Sequence, residues 1–443
     1  MPAPERYKKA VPEVTAIWES GGTFKAQTDV WGAQIEARSE LFGKPPASRV
    51  PVIKKALELT PEEIEILNEP VGHETNKLLR LVQSRPELTP EDANEIHNGG
   101  TSSDVLDTSL SIQIRESLDV VAHDSDSLEK TLGATAIKHR KTLQIARSHG
   151  QHAVPHVFGR QVLGWYAEVK RGRERIKRAR EVISVGKLSG EVGTHVFIPP
   201  EVEELALEKL GLRPDESPTQ VISRDRHAEV VSLMAVNAGT LARIAMNIRL
   251  LSISDVGEVR EPFDEKNQQG SSAMPHKRNP EKAERISGLN RRIRSAAAEE
   301  LDAMILFLER DISHSSTERF TFSDSFSALS YAYRLTNEIM SDLVVDEQKM
   351  LENLNSSYGQ IYSPRLLNEL LNSGKGGTRT EYYELVKGLA HKAKDTKTSL
   401  LELVLDNDLI VEALGKEKIN ELFDPEFYLR NIDVAYKRAG LIK

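Results

Sequence analysis

The sequence predicts an all-α protein in which several long helices pack side by side. Three observations carry that expectation. Apolar residues recur at helical steps through stretches much longer than a strand. One such stretch, Val230 to Ile253, is apolar on more than one face, the pattern of a helix buried in a bundle. Sustained strand alternation is missing, and so is the strand–helix rhythm of a parallel sheet.

In chain order, the start Met1-Pro2-Ala3-Pro4-Glu5-Arg6-Tyr7 lacks the apolar segment of a secretory signal. Val50 to Ile53 is a candidate short strand that Pro51 would confine to a sheet edge. The polar run Asn94 to Gly100 marks the end of a small N-terminal domain, 1–98. The first long helix shows in Leu110, Ile114, Leu118, Val121, Leu128 and Leu132, mostly three, four or seven apart. A basic run, Lys170 to Arg180, has no interleaved aromatics and reads as a solvated helix face with acidic partners nearby, not as a nucleic-acid patch. Val196 to Ile198 is a second candidate strand. Leu233, Val236, Leu241, Ile244, Ile248 and Leu251 mark the second long helix; Leu329, Ala332, Leu335, Ile339 and Leu343 mark the third. These helices make a central domain, 99–350, and shorter elements punctuated near Tyr362-Ser363-Pro364 and Ser373 to Gly377 make a C-terminal helical domain, 351–443.

Composition agrees with this reading. A chain of 443 residues is long enough for roughly three domains at about 150 residues each. Apolar residues are 39% and charged residues 28%, the range of a globular protein. Lys+Arg less Asp+Glu is 59 − 67 = −8, so there is no overall positive field for nucleic acid or an anionic membrane. The absence of cysteine removes disulfides, thiolate metal sites and cysteine nucleophiles together, and it fits a reducing compartment. No run of about 18 apolar residues occurs, so no membrane span is expected and a cytoplasmic location is.

The chemistry concentrates in a few segments. Gly270-Ser271-Ser272-Ala273-Met274-Pro275-His276-Lys277-Arg278-Asn279-Pro280 is a Gly- and Pro-bounded loop offering two hydroxyls, a lysine and an amide. The serine pair alone is explained as loop solvation; the whole run is not. It is similar to the signature loop of the fumarase/aspartase superfamily, and its ending resembles the branch that holds adenylosuccinate lyases and carboxymuconate cycloisomerases. Thr101 to Thr108 and Arg147-Ser148-His149-Gly150-Gln151-His152-Ala153 resemble that superfamily's first two blocks. Gly186 to Gly190, Thr219 to Glu229 and Glu309 to Arg319 resemble adenylosuccinate lyases in particular, as does Arg6-Tyr7 followed by Ala16-Ile17-Trp18.

That resemblance implies a homotetramer with a central bundle of long helices and active sites shared between subunits. It implies β-elimination of fumarate from adenylosuccinate to give AMP, and from the succinyl-carboxamide ribotide of purine synthesis, with no metal and no cofactor. Ser271 matches the general base, a role that requires the loop to stabilise an alkoxide. His149 matches the general acid, for which an imidazole suits neutral pH. Lys277 and Asn279 match the groups that hold the succinyl carboxylates. His73, Glu74, His97, Thr101, Ser102 and Gln220 match residues lining the substrate site. Arg310, Ser315 and Arg319 match a phosphate cluster, which Arg6 and Tyr7 also reach; guanidinium is the group for bidentate phosphate recognition. His149, His152 and His156 are also spaced for a metal on one helical face, although Gly150 and Pro155 weaken a helix there.

Besides Ser148, where threonine is more usual, three places depart from the family pattern: Gly72-His73-Glu74 where Arg-His-Asp is usual, His195-Val196-Phe197 for Tyr-Ala-Asn, and Phe307-Leu308-Glu309 for Trp-His-Glu. They lie near the expected substrate pocket, so a related lyase or cycloisomerase acting on another succinyl- or carboxy-substituted substrate is the alternative. A catalytically silent homologue is the third reading, and retention of Ser271 and His149 argues against it.

Overall fold

The computed structural model describes residues 5–70, 74–264 and 273–443. Helices dominate. The long ones are α1 (Ser20–Phe42), α2 (Ser102–Lys138), α3 (Phe158–Ile183), α4 (Asp225–Leu251), α5 (Glu281–Asp302) and α6 (Ser313–Ser341). Between α2 and α3 stands an antiparallel hairpin, β1 (Leu143–Ser148) and β2 (Gln151–Val157).

The described residues form two compact units. The first is Met1–Ser127, Arg171–Arg243 and Arg285–Thr336; the second is Leu128–Lys170, Ile244–Glu284 and Asn337–Lys443. In the first, Trp31 and Ile35 of α1 join Ile53, Leu78, Val105, Ile198, Val202 and Leu207 in one core. Fully burying side chains such as Ile35, Ile53 and Leu78 contributes roughly 1.5–3 kcal/mol each. α1 stops at Gly43, whose left-handed φ of 65° lets its N–H reach Ser39 O at 2.9 Å. The second unit has its main core in the C-terminal helices, around Leu366, Leu370, Val386, Leu400, Val404 and Ile410. A smaller cluster joins Ile145 of the hairpin to Leu354, Ile361 and Tyr362.

Neither candidate strand forms. Val50–Ala56 is a helix, because Pro51 falls in its first turn, where a missing N–H costs nothing and a fixed φ helps. Val196 to Ile198 runs as irregular chain. The hairpin is the element that apolar spacing misses. The basic run lies on α3 and is tied to acids on other segments of the first unit: Arg173 to Asp126 at 3.3 Å, Arg178 to Glu229 at 2.8 Å, Arg180 to Asp119 at 2.6 Å. That is the solvated, ion-paired face its residues predicted. α4 is long and apolar enough to cross a membrane by length and composition, and just under half of its apolar window is buried within the protein. Leu241, Ile244 and Ile248 point to the core, whereas Val236, Met246 and Leu250 stay exposed.

Candidate active site

In the first unit the site begins where α2 begins. Thr101 donates its N–H to Asp104 Oδ2 at 2.7 Å, half of a capping box that fixes the start of the helix. Ser102 is its first residue. His97 precedes it in a left-handed conformation, φ 64°. Its Nδ1 accepts from Trp31 Nε1 at 3.2 Å. Indole only donates, so a neutral His97 carries its proton on Nε2, ready to donate elsewhere. Burial holds its pKa below the ordinary value, although Asp104 opposes this. Gly99, at φ 73°, lets the chain pass Phe197; a Cβ there would stand 3.0 Å from the Phe197 carbonyl oxygen.

A cleft of about 680 Å³ opens in the same unit, with Glu74, Arg310, Ser315 and Arg319 in its wall. Asp311 caps the start of α6, accepting from Ser313 N at 2.7 Å and Phe307 N at 2.8 Å. The Ser313 side chain first, and then those two backbone bonds, hold its pKa down at about 2. They also set Arg310, the preceding residue, at the cleft edge. Arg310 Nη1 donates to Gln220 Oε1 at 3.2 Å, while its buried Nε has no partner among the described residues. Ser315 and Arg319 lie four apart on α6, hence on one face. Arg319 stands 3.8 Å from Glu74, which in turn accepts from Gln27 at 3.2 Å.

Behind these residues lies a network that sequence reasoning did not single out. Arg224 is 2% exposed and binds two carboxylates: Asp107 at 2.8 and 3.0 Å, and Glu318 at 2.7 and 3.3 Å. Burial pushes Asp107 up, but Arg224 more than offsets this and leaves it below the usual carboxylate range. The three residues line the cleft and tie α2 to α6. All three stand inside the motif blocks, so the signal was present in their place there, though nothing local marks them as partners of one another. A larger groove of about 1090 Å³ in this unit runs over Lys54, Glu58, Arg115 and Lys209 and holds none of the predicted site residues.

Arg6 and Tyr7 sit on a short helix, Glu5–Ala10. Arg6 is exposed, and Tyr7 packs on Tyr331 with ring centroids 5.3 Å apart. Neither lines the cleft; their neighbour Lys8 does.

The second unit carries the rest. His149 and Gly150 form the two-residue turn between β1 and β2, at φ 53° and 74°. Two positive φ values define the type I′ turn that matches strand twist, and glycine at the second place removes the Cβ strain there. His149 is thus exposed at the tip of a hairpin. The helical face that would gather three histidines does not form: His152 pairs with Arg147 and His156 with Gln144 along the hairpin. Burial pushes His156 down to about 4, so it is neutral near neutral pH. Lys277 and Asn279 lie just before α5; Lys277 N donates to Met274 O at 3.0 Å, and Asn279 lines a small cleft of about 220 Å³. The expectations for Ser271 and His73 fall outside the described residues.

The structure therefore brings Gln220, Arg310, Ser315, Arg319 and Glu74 together in one unit, with His97, Thr101 and Ser102 at the start of α2 in the same unit. It sets His149, Lys277 and Asn279 in the other. The helical frame and these blocks define a lyase: the family model described as Lyase matches residues 7–295. A second, described as Adenylosuccinate lyase C-terminus, matches residues 359–439. The chain belongs to the adenylosuccinate lyase family. It is 42% identical to the adenylosuccinate lyase of Synechocystis sp. over 99% of this chain and 100% of that one. The adenylosuccinate lyase of Aquifex aeolicus is 39% identical over 98% of each chain. Among solved structures, a fumarate lyase from Mesorhizobium sp. BNC1 superposes with a TM-score of 0.86 at 25% identity, covering 97% of both chains. A 3-carboxy-cis,cis-muconate lactonizing enzyme from Pseudomonas putida does so at 0.85 and 27% identity, covering 97% of this chain and 96% of that one.

Proposed function

We propose that the protein cleaves adenylosuccinate to AMP and fumarate, and that it acts likewise on the succinyl-carboxamide ribotide of purine synthesis. The observation that carries this reading is the near-full-length similarity to adenylosuccinate lyases, joined to a cleft edged by Arg310, Ser315 and Arg319. Those groups suit a phosphate monoester; Arg6 and Tyr7, which do not line the cleft but adjoin Lys8, which does, are further contacts on the family resemblance alone. A guanidinium fork meets two phosphate oxygens at once.

In the elimination, Ser271 as alkoxide removes the proton from the carbon beside a succinyl carboxylate. Negative charge spreads onto that carboxylate, where Lys277 and Asn279 stabilise it in the transition state. The C–N bond then breaks, and His149 gives its proton to the leaving nitrogen. His73, Glu74, His97, Thr101, Ser102 and Gln220 orient acid and substrate. The protein works as a homotetramer whose sites are shared between subunits and is cytoplasmic. Exposed apolar side chains on α4, Val236, Met246 and Leu250, support subunit contact, since 3.6 residues per turn brings them to one side.

Purified protein mixed with adenylosuccinate should change the ultraviolet absorbance as AMP and fumarate form. Turnover of another succinyl or carboxymuconate substrate, with none of adenylosuccinate, would overturn the substrate assignment. Light scattering that found only active monomer at micromolar concentration would overturn the shared-site arrangement.

A further inference from the structure

We propose that residues Glu258–Glu261 form a strap that positions both proposed catalytic elements of the second unit: the hairpin bearing His149 and the stem bearing Lys277 and Asn279. The inference rests on the roles assigned above and adds the residues that hold those groups in register.

Glu258 is the first anchor. Its side chain is fully buried, and a buried carboxylate persists only where donors fill its lone pairs. Four do so: Gln144 Nε2 at 2.7 Å, Arg147 Nη2 at 2.6 Å and Nη1 at 3.1 Å, and Asn353 Nδ2 at 2.8 Å. Gln144 and Arg147 both belong to β1, and Arg147 precedes His149 by two residues. The strand therefore reaches the turn with its twist and height already fixed by one carboxylate.

Glu261 is the second anchor. Its Oε1 accepts from Ala283 N at 2.7 Å and its Oε2 from Lys282 N at 3.1 Å. These are first-turn N–H groups of α5, which have no partner within the helix. The carboxylate thereby fixes the helix start just beyond Asn279-Pro280. The Arg278 guanidinium, between Lys277 and Asn279, lies over the Phe263 ring at 5.3 Å from its centroid, a further tie between the stem and the chain two residues past the strap.

The strap itself is rigid. Val259 and Arg260 pair antiparallel with Val345 and Val344; Glu258 O accepts from Asp346 N at 3.0 Å, and Glu258 N donates to Leu251 O at 2.9 Å. Three residues of extended chain set the two anchors about 10 Å apart. An ordinary core tie would join any two elements. Here both carboxylates face the elements that carry the proposed general acid and the carboxylate-gripping pair, and one short strand spaces them. Misplacement of a reacting group by about 1 Å is enough to cost catalysis heavily.

The test separates kcat from KM for adenylosuccinate in Glu258→Gln and Glu261→Gln, with thermal unfolding and light scattering on each. Glu258→Gln should lower kcat by about 10- to 100-fold with KM within about threefold, because the acid is misaligned and the grip is not. Glu261→Gln should raise KM by about tenfold with a smaller loss of kcat. Glu258→Asp, which keeps the charge, should recover part of kcat. Asn353→Ala removes one of the four donors and serves if Glu258→Gln does not fold; it should lower kcat in the same sense, by less. Wild-type kcat per folded site in Glu258→Gln or in Asn353→Ala overturns the strap, as does a loss that only tracks the folded fraction. Wild type and His149→Gln run alongside: active wild type with inactive His149→Gln keeps the functional reading whatever the strap variants do, and inactive wild type overturns that reading instead.

Discussion

Behind the hairpin of the second unit one buried carboxylate is fully paired, Glu258 accepting from Gln144, Arg147 and Asn353, although Gln144 Oε1 is itself buried without a partner among the described residues. Around the cleft of the first unit several buried polar groups are unpaired. Arg310 Nε, His314 Nδ1 and both oxygens of Glu300 are buried without a hydrogen-bond partner among the described residues. A group that must present one atom at one place gains from a fully paired support, since every bond narrows its motion. A site that must take up a charged ligand gains from donors that stay unpaired until it arrives, because pairing them beforehand would have to be undone on binding. The two regions therefore predict different failures when altered: loss of rate in one, loss of binding in the other.

The largest effect belongs to the groups that move protons. His149→Gln and Ser271→Ala should each lower kcat by about 10²- to 10⁴-fold, with secondary structure and oligomeric state unchanged. Stopped assays and light scattering check this. Near-normal turnover in Ser271→Ala would move the base to Ser272 or to a histidine and break the rate side of the comparison.

The binding side is sharpened at Arg310. Arg310→Ala should weaken phosphate-bearing substrate by roughly 30-fold, about 2 kcal/mol, the low end for removing a charge-assisted contact. Arg310→Lys should recover only part, because an ammonium cannot form the planar bidentate fork. The dephosphorylated succinyl-nucleoside is the control, binding wild type and Arg310→Ala about equally. If the variant distinguished the two ligands as strongly as wild type does, Arg310 would not be a phosphate ligand.

The same contrast explains what could be read from sequence. Ile114, Leu118, Val121, Leu128 and Leu132 are all buried on α2, because a helical face is written locally in the sequence at steps of three and four. The motif blocks likewise led to Gln220, Arg310, Ser315 and Arg319, which the fold gathers in one unit. The hairpin was not legible: its two-residue alternation is broken by an irregularity between Ile145 and Arg147, and its turn is His-Gly where Asn-Gly would have announced it. Pro51 was legible as a breaker but not as a helix start. Glu258 was invisible for a different reason. Its side-chain partners lie 95 to 114 residues away, and no local pattern records a long-range polar contact.

The smallest effect tests the unpaired region at Glu300, which is fully buried on α5. Burial pushes its pKa up to about 8; Glu318 and Glu299 add to this, and Arg224 opposes it. The sign comes from proton counts in the two states. Below the ordinary value of 4.5 the carboxyl is protonated both folded and unfolded, and pH has no leverage through it. Between that value and about 8 the unfolded chain releases the proton while the folded chain keeps it, so stability falls as pH rises, and the loss is complete above the folded value. Glu300→Gln keeps the shape and cannot ionise. It should match wild type within a degree or so at about pH 5 and unfold a few degrees higher at about pH 9, a shift small for a chain of this length. Thermal unfolding at both values reads it. The same exchange at Glu258 should destabilise the protein, because it sets an amide donor against the side-chain donors of Gln144, Arg147 and Asn353. If Glu300→Gln shifted the melting temperature equally at the two pH values, the carboxyl would not be held protonated, and the contrast between Glu300 and the paired Glu258 would fail.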